Sequence, residues 1–159
     1  MAIPRPTVWI DGDACPGRVK QIIVKAADRL ALDVVIVANQ YQRPKSRRVK
    51  MIVVSQGADE ADNHIAEQAG EGDVAITADI PLAARLVPNG VHVLDHRGGV
   101  FDESSVGEAL AMRNLKEELR SGGLIQGGPP AFSDRDVQAF ANAFDRLLSS
   151  PKPHWEDAK

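Results

Sequence analysis

The sequence predicts an α/β fold of three layers, with a mostly parallel sheet of about five strands between helices on both faces. Two runs, DVVIVA (33–38) and MIVVS (51–55), are apolar almost without interruption, as expected of strands covered on both faces rather than one. Segments of helical periodicity separate the strand-like runs, and such alternation is the mark of parallel pairing through helical crossovers.

Each element follows from local chemistry. TVWI (7–10) reads as the first strand. Pro16 suits the opening turn of a helix, where its missing N–H has no intrahelical role. Behind it Val19, Ile22, Ile23, Ala26, Ala27 and Leu30 recur at three- and four-residue spacing, with Arg18, Lys20, Lys25, Asp28 and Arg29 outside that stripe. After the two buried strands, ADEADNHIAEQAG (58–70) reads as a helix stopped by Gly70, and DVAIT (73–77) as a strand. A short helix through PLAARL and a strand VHVL (91–94) continue the alternation, and HRGGVF adds a small hairpin. Residues 104–120 are expected to be helical and GGLIQGGPP (122–130) a loop. Val137, Phe140, Ala141, Phe144, Leu147 and Leu148 form a last helical stripe that packs back on the sheet. Residues 1–150 are thus expected to make one domain and PKPHWEDAK (151–159) a disordered tail.

Composition narrows the function classes. At 159 residues and 43% hydrophobic the chain suits a single core, and a net charge of -3 gives no bulk signature of a nucleic-acid or membrane-surface binder. No apolar run approaches the ~18 residues of a membrane span, and MAIPRPTVW lacks a secretory pattern, so no membrane partner and a cytoplasmic location are expected. The single Cys15 allows neither an intramolecular disulfide nor a cysteine-based zinc framework, so a metal here would have oxygen ligands, with or without histidine.

The carboxylates gather at predicted strand ends. Asp11 and Asp13 follow the first strand, Asp59 and Asp62 open the next helix but one, Asp79 follows ITA, and Asp95 follows VHVL. In a parallel sheet these ends share one edge, where ligands collect. Asp62 shares its helix side with Ile65, Ala66 and Ala69, a small apolar face directed at the sheet, and Asp59 lies on the same side. Asp13 or Asp59 alone reads equally well as a helix N-cap. Together, however, several carboxylates in one cleft raise one another's pKa unless a cation is present, and an oxygen-rich site suits Mg²⁺ or Mn²⁺. Asp11, Asp13, Asp62 and Asp79 are the candidate metal ligands, with Asp59 joining them as a candidate catalytic group. Such an ion fits phosphodiester hydrolysis, because it offsets charge on the phosphoryl oxygens and activates water. No G-x-S-x-G, H-E-x-x-H, Walker A or G-x-G-x-x-G pattern offers another route.

A basic segment complements the acids. Within NQYQRPKSRRVK, Arg43, Lys45, Arg47, Arg48 and Lys50 have no acidic residue among them, and Tyr41 adds a stacking surface. Because the segment follows the second strand, it is expected on the same carboxyl edge, where Asn39, Arg43, Lys45, Arg47 and Arg48 would bind a nucleic-acid backbone. Taken alone, a charge run reads as a solvated connection.

WIDGDACP, VVIVANQ, QGADEADNHIAEQAGEGDVAITADIPLA, VLDHRG, GGPPAFSDRD and FANAFDRLL, in this order along nearly the whole chain, resemble the YaiI/YqxD family of uncharacterised bacterial proteins. That family is similar to the PIN-like and NYN-like nucleases, so the resemblance implies a PIN-like fold, a divalent metal and a nucleic-acid substrate, RNA above all. It points to Asp11 and Asp13 after the first strand, Asp59 and Asp62 in the helix, and Asp79 after the later strand. The pattern departs from PIN-type proteins in its D-x-D, where one acid is usual, and in the His96-Arg97 that follows Asp95.

Two alternatives stay open. The D-x-D also resembles the first motif of haloacid-dehalogenase-type phosphatases, with Asp11 as nucleophile and Asp13 as general acid/base, although Cys15 stands where Thr or Ser is usual. A non-catalytic RNA-binding module is the other. Among single residues, Cys15 reads as packing rather than as a reactive thiol. His64 faces away from Asp62, and Trp9 reads as core. Thr77, Arg97 and His96 are possible substrate contacts.

Overall fold

The computed structural model describes residues 6–57, 59–126 and 131–149. The chain runs β1 (Thr7–Asp11), α1 (Gly17–Leu30), β2 (Asp33–Ala38), β3 (Val49–Val53), α2 (Glu60–Gln68), β4 (Val74–Ile76) and α3 (Ile80–Leu86). It continues through β5 (His92–Leu94), β6 (Val100–Phe101), α4 (Glu103–Ser121) and α5 (Asp134–Leu148). The expected helix start at residue 58, the end of the Gly/Pro loop at 127–130 and the tail 151–159 lie outside the described residues.

One six-stranded sheet in the order β3-β2-β1-β4-β5-β6 organises the molecule. The first five strands are parallel and β6 pairs antiparallel to β5, so the HRGGVF hairpin adds a sixth strand to the five expected. Strand pleating sends alternate residues to opposite faces. Val8, Ile10, Val34, Ile36, Val74, Ile76 and Leu94 face the core built with α1 and α5, where Phe140 and Phe144 stack at 5.5 Å between ring centroids. Trp9, Val35, Val37, Ala75 and Val93 face the second core, built with α2, α3 and Val106 of α4. Full burial of one such side chain contributes roughly 1.5–3 kcal/mol, so both cores matter to stability.

Helix boundaries have local causes. The α1 stripe buries Val19, Ile23, Ala26 and Ala27, and the helix ends at Ala31, whose φ of 57° turns the chain left-handed. Capping boxes start the two late helices: Asp102 with Ser105 for α4, and Ser133 with Asp136 for α5. No helix among the described residues is long and apolar enough to cross a membrane.

The topology places the site. From β1 the chain moves outward through β2 to β3, then α2 carries it back across the sheet to β4, on the other side of β1, and on to β5. The β1/β4 junction is therefore the point at which strand order reverses, where the carboxyl ends of two neighbouring strands diverge into a crevice.

Candidate active site

Asp11 is the last residue of β1, and Thr77 and Asp79 follow β4, its neighbour across the junction. Thr77 is 0% exposed, and its hydroxyl donates to Asp11 Oδ2 at 3.3 Å while accepting the Asp79 backbone N–H at 3.0 Å. Asp79 caps α3, its Oδ1 accepting the Leu82 N–H at 2.8 Å. Asp62 reaches the same point from the first turn of α2, within hydrogen-bond reach of the Asp79 carboxyl. Asp11, Asp62 and Asp79 thus come from three separate elements and share one crevice.

Electrostatics bears the crowding out. Burial, then the charges of Asp79 and Asp11, then the hydrogen bond with Asp79 push the Asp62 carboxyl up to about 7. Asp11 is raised chiefly by burial, with the Thr77 hydroxyl and Lys20 opposing and Asp79 and Asp13 adding to the rise. Two carboxyls in contact keep one proton between them unless a cation takes its place. All donors here are carboxylate oxygens, which is the chemistry of a Mg²⁺ or Mn²⁺ site. As arranged in the structure, no group of three or more His, Cys, Asp or Glu among the described residues could hold a metal ion.

The D-G-D spacing has a packing cause. Gly12 donates its N–H to Val37 O at 2.8 Å and lies so close to β2 that a Cβ would fall 2.5 Å from Ile36 Cγ2 and 3.1 Å from Ala38 Cβ. The glycine lets the chain hug β2 while its two neighbours present carboxylates. Asp13, exposed, does not cap α1, which has no side-chain cap; its two oxygens instead accept the Asn39 N–H at 3.1 and 2.8 Å. Asp59 occupies the N-cap position of α2 without making a capping hydrogen bond, and its charge acts on Asp62.

Several expectations are corrected. The basic segment does not stay on the carboxyl edge. Because β2 and β3 are parallel neighbours, residues 39–48 must return along the full strand, and Arg48 ends beside Asp33 at the start of β2. Arg47 and Arg48 line a cavity of about 310 Å³ with Thr7 and Lys50 at the amino ends of the strands, away from Asp11. Only the start of the segment reaches the crevice. Asn39 there is a tie, with its N–H on Asp13 and its side-chain amide donating to Ser55 O at 3.0 Å. Arg43 follows Gln42 at that end and Lys45 precedes the turn toward β3; both are exposed, as is Tyr41 at 68%. Arg97, expected near substrate, pairs with Asp136 of α5 at 2.8 Å and lies over the Phe132 ring. Asp95 accepts the N–H groups of Arg97 and Gly99 and so builds the β5–β6 turn. His96 is buried and belongs to the interior.

Other residues fall as read. Trp9 is core, its indole N–H on Asp73, and the His64 ring lies 6.4 Å from it between centroids. Cys15 is buried, and burial above all pushes its thiol up to about 12, far from reactive thiolate. Missed in the sequence were Lys20 and Gln42. Lys20 Nζ donates to Gly12 O at 2.9 Å and Gln42 Oε1 at 2.5 Å, and Gln42 Nε2 donates to Gly12 O at 3.2 Å. The available signal was position: Lys20 lies in the first helical turns, and helical side chains lean toward the N-terminus, here toward the crevice.

Residues 9–150 match the family described as "Uncharacterized BCR, YaiI/YqxD family". The chain is 48% identical over 143 residues to a UPF0178 protein of Dechloromonas aromatica, covering 89% of this chain and 95% of that one. It is 50% identical to a UPF0178 protein of Myxococcus xanthus (89% and 94%) and 51% identical to one of Bordetella bronchiseptica (89% of each). No solved structure matches the chain.

Proposed function

The chain belongs to the YaiI/YqxD family of uncharacterised bacterial proteins, and from that starting point we propose that it is a metal-dependent nuclease hydrolysing RNA or DNA phosphodiester bonds. The observation that carries this reading is the convergence of Asp11, Asp62 and Asp79 at the strand-order reversal, close enough that burial and mutual repulsion push Asp62 to about 7. Such a cluster is an energetic liability that a divalent cation removes. Asp11, Asp62 and Asp79 would hold Mg²⁺ or Mn²⁺, with Asp13 and Asp59 at the rim.

When bound, the ion would offset charge on a phosphoryl oxygen and lower the pKa of a coordinated water. The chain's own residues supply the rest. Thr77 orients Asp11 through its hydroxyl and the Leu82 N–H of α3 fixes the Asp79 carboxyl, while loading the ion would require Asp62 to ionise and the three carboxylates to draw together from their present arrangement. Resemblance of the acidic pattern to PIN-like and NYN-like nucleases supports the same reading. Asp13 is engaged by the Asn39 N–H, which argues against its use as the general acid of a phosphatase.

The test is cleavage of single-stranded RNA and DNA oligonucleotides by purified protein in Mg²⁺ or Mn²⁺. Activity lost on chelation and in Asp11→Asn, Asp62→Asn and Asp79→Asn supports the nuclease. Binding without cleavage in either metal would leave an RNA-binding module, and Asp11-dependent turnover of a chromogenic phosphomonoester would make the protein a phosphatase.

A further inference from the structure

We infer that Lys20 is the substrate-binding cation of the crevice, taking a nonbridging phosphoryl oxygen of the nucleic-acid backbone beside Asp11. The inference rests on the nuclease reading only for the identity of that phosphate.

Three observations converge on Lys20. An ammonium has three N–H donors. Two point at fixed acceptors, Gly12 O and Gln42 Oε1, and the third has no acceptor among the described residues. The two anchors are themselves joined, because Gln42 Nε2 also donates to Gly12 O, so the ammonium is aimed rather than freely swinging. Its charge acts on Asp11, yet it forms no ion pair with any carboxylate among the described residues. Arg18 and Arg97 are paired with acidic partners, and Arg29 and Arg48 each have one within 3.8 Å.

Its surroundings suit an anion. The α1 N-terminus one turn away has no side-chain cap and no acidic residue in its first turn, so the positive end of the helix is not neutralised there. Gly12 O, the first anchor, belongs to the residue between Asp11 and Asp13, which puts the ammonium immediately beside the carboxylate crevice. A phosphodiester lying there would meet the carboxylate cluster on one side and Lys20 on the other. The cation on a short, doubly anchored tether positions the phosphate, and the charge-assisted hydrogen bond supplies affinity.

The closing experiment measures metal-free binding of a labelled single-stranded oligonucleotide to the full chain over a salt series, for the wild type and for Lys20→Gln, Lys20→Met and Lys20→Arg. Losing one phosphate contact lowers affinity about tenfold and the salt slope by about 0.7. We expect this for Lys20→Gln and Lys20→Met, with Lys20→Arg restoring most of it. Lys20→Gln keeps a donor for Gly12 O, so a purely structural lysine would show no charge dependence. Equal affinity and slope in wild type and Lys20→Gln would overturn the assignment. The two readings fail separately: binding lost in Lys20→Gln without cleavage by the wild type removes the nuclease and leaves Lys20. Conversely, cleavage with kcat and KM unchanged in Lys20→Gln removes Lys20 and leaves the nuclease.

Discussion

The Thr77 hydroxyl donates to Asp11 Oδ2 while accepting the backbone N–H of Asp79, so one fully buried side chain couples the carboxyl ends of β1 and β4. Thr77→Val keeps the shape and removes both bonds, leaving a partly buried N–H unpaired. It should lower stability by about 1–3 kcal/mol. Because the hydroxyl holds the Asp11 pKa down, the variant should also titrate Asp11 at higher pH, read from the carboxyl carbon by NMR. Thr77→Ser should restore both properties.

Asp62 predicts a pH dependence of folding. Its carboxyl rises from 3.8 to about 7 in the folded protein, so between these values the native state holds a proton that the unfolded chain has released. Stability should therefore fall as pH rises through that window. Asp62→Asn should flatten the fall in a urea-denaturation series and leave the variant more stable than the wild type at pH 8. On the nuclease reading, Mn²⁺ at pH 8 should raise the melting temperature of the wild type, and raise that of Asp62→Asn much less.

Gly12 is a packing requirement. With Ile36 Cγ2 at 2.5 Å from the position of an added Cβ, Gly12→Ala must move β1 and β2 apart or twist the Ile36 side chain. The expected cost is about 1–3 kcal/mol by denaturation; on the nuclease reading, cleavage should also fall because both neighbouring carboxylates shift.

On the nuclease reading, the split of the basic segment separates its members by their expected contact with nucleic acid. Arg47→Ala with Arg48→Ala should leave oligonucleotide affinity at the crevice unchanged, because both residues stand at the amino ends of the strands. Arg43→Ala, near Gln42, should weaken binding and reduce its salt slope by about 0.7. Fluorescence anisotropy at two salt concentrations distinguishes the double variant from the single one.

Much of this was legible in residue order. DVVIVA and the Val19–Leu30 stripe declare a doubly covered strand and a one-sided helix because burial dictates their composition. Strand-end aspartates converge because parallel pairing puts those ends together. What escaped depended on which neighbours pair. Arg47 and Arg48 lie at the opposite edge because β3 directly follows β2 in parallel with no helix between, a pairing that periodicity does not reveal. Across the six residues of β2 that return covers roughly 20 Å. Arg97 reads as a candidate substrate contact from its place beside a strand end because its partner, Asp136, is far along the chain. Asp13 was ambiguous for a similar reason: both a cap and a ligand are local readings, whereas its acceptor role toward Asn39 depends on the β1–β2 register.

The crossover that brings β4 beside β1 also sets when the crevice comes into being. Asp11 and Thr77 are 66 positions apart, so during synthesis Asp11 and Asp13 emerge long before the groups that complete the cluster. Contacts between positions so far apart along the chain slow folding, because the entropy of closing the loop is lost before the contact is gained. On the nuclease reading, a nascent chain cut short before Asp79 carries the opening D-G-D but no assembled centre.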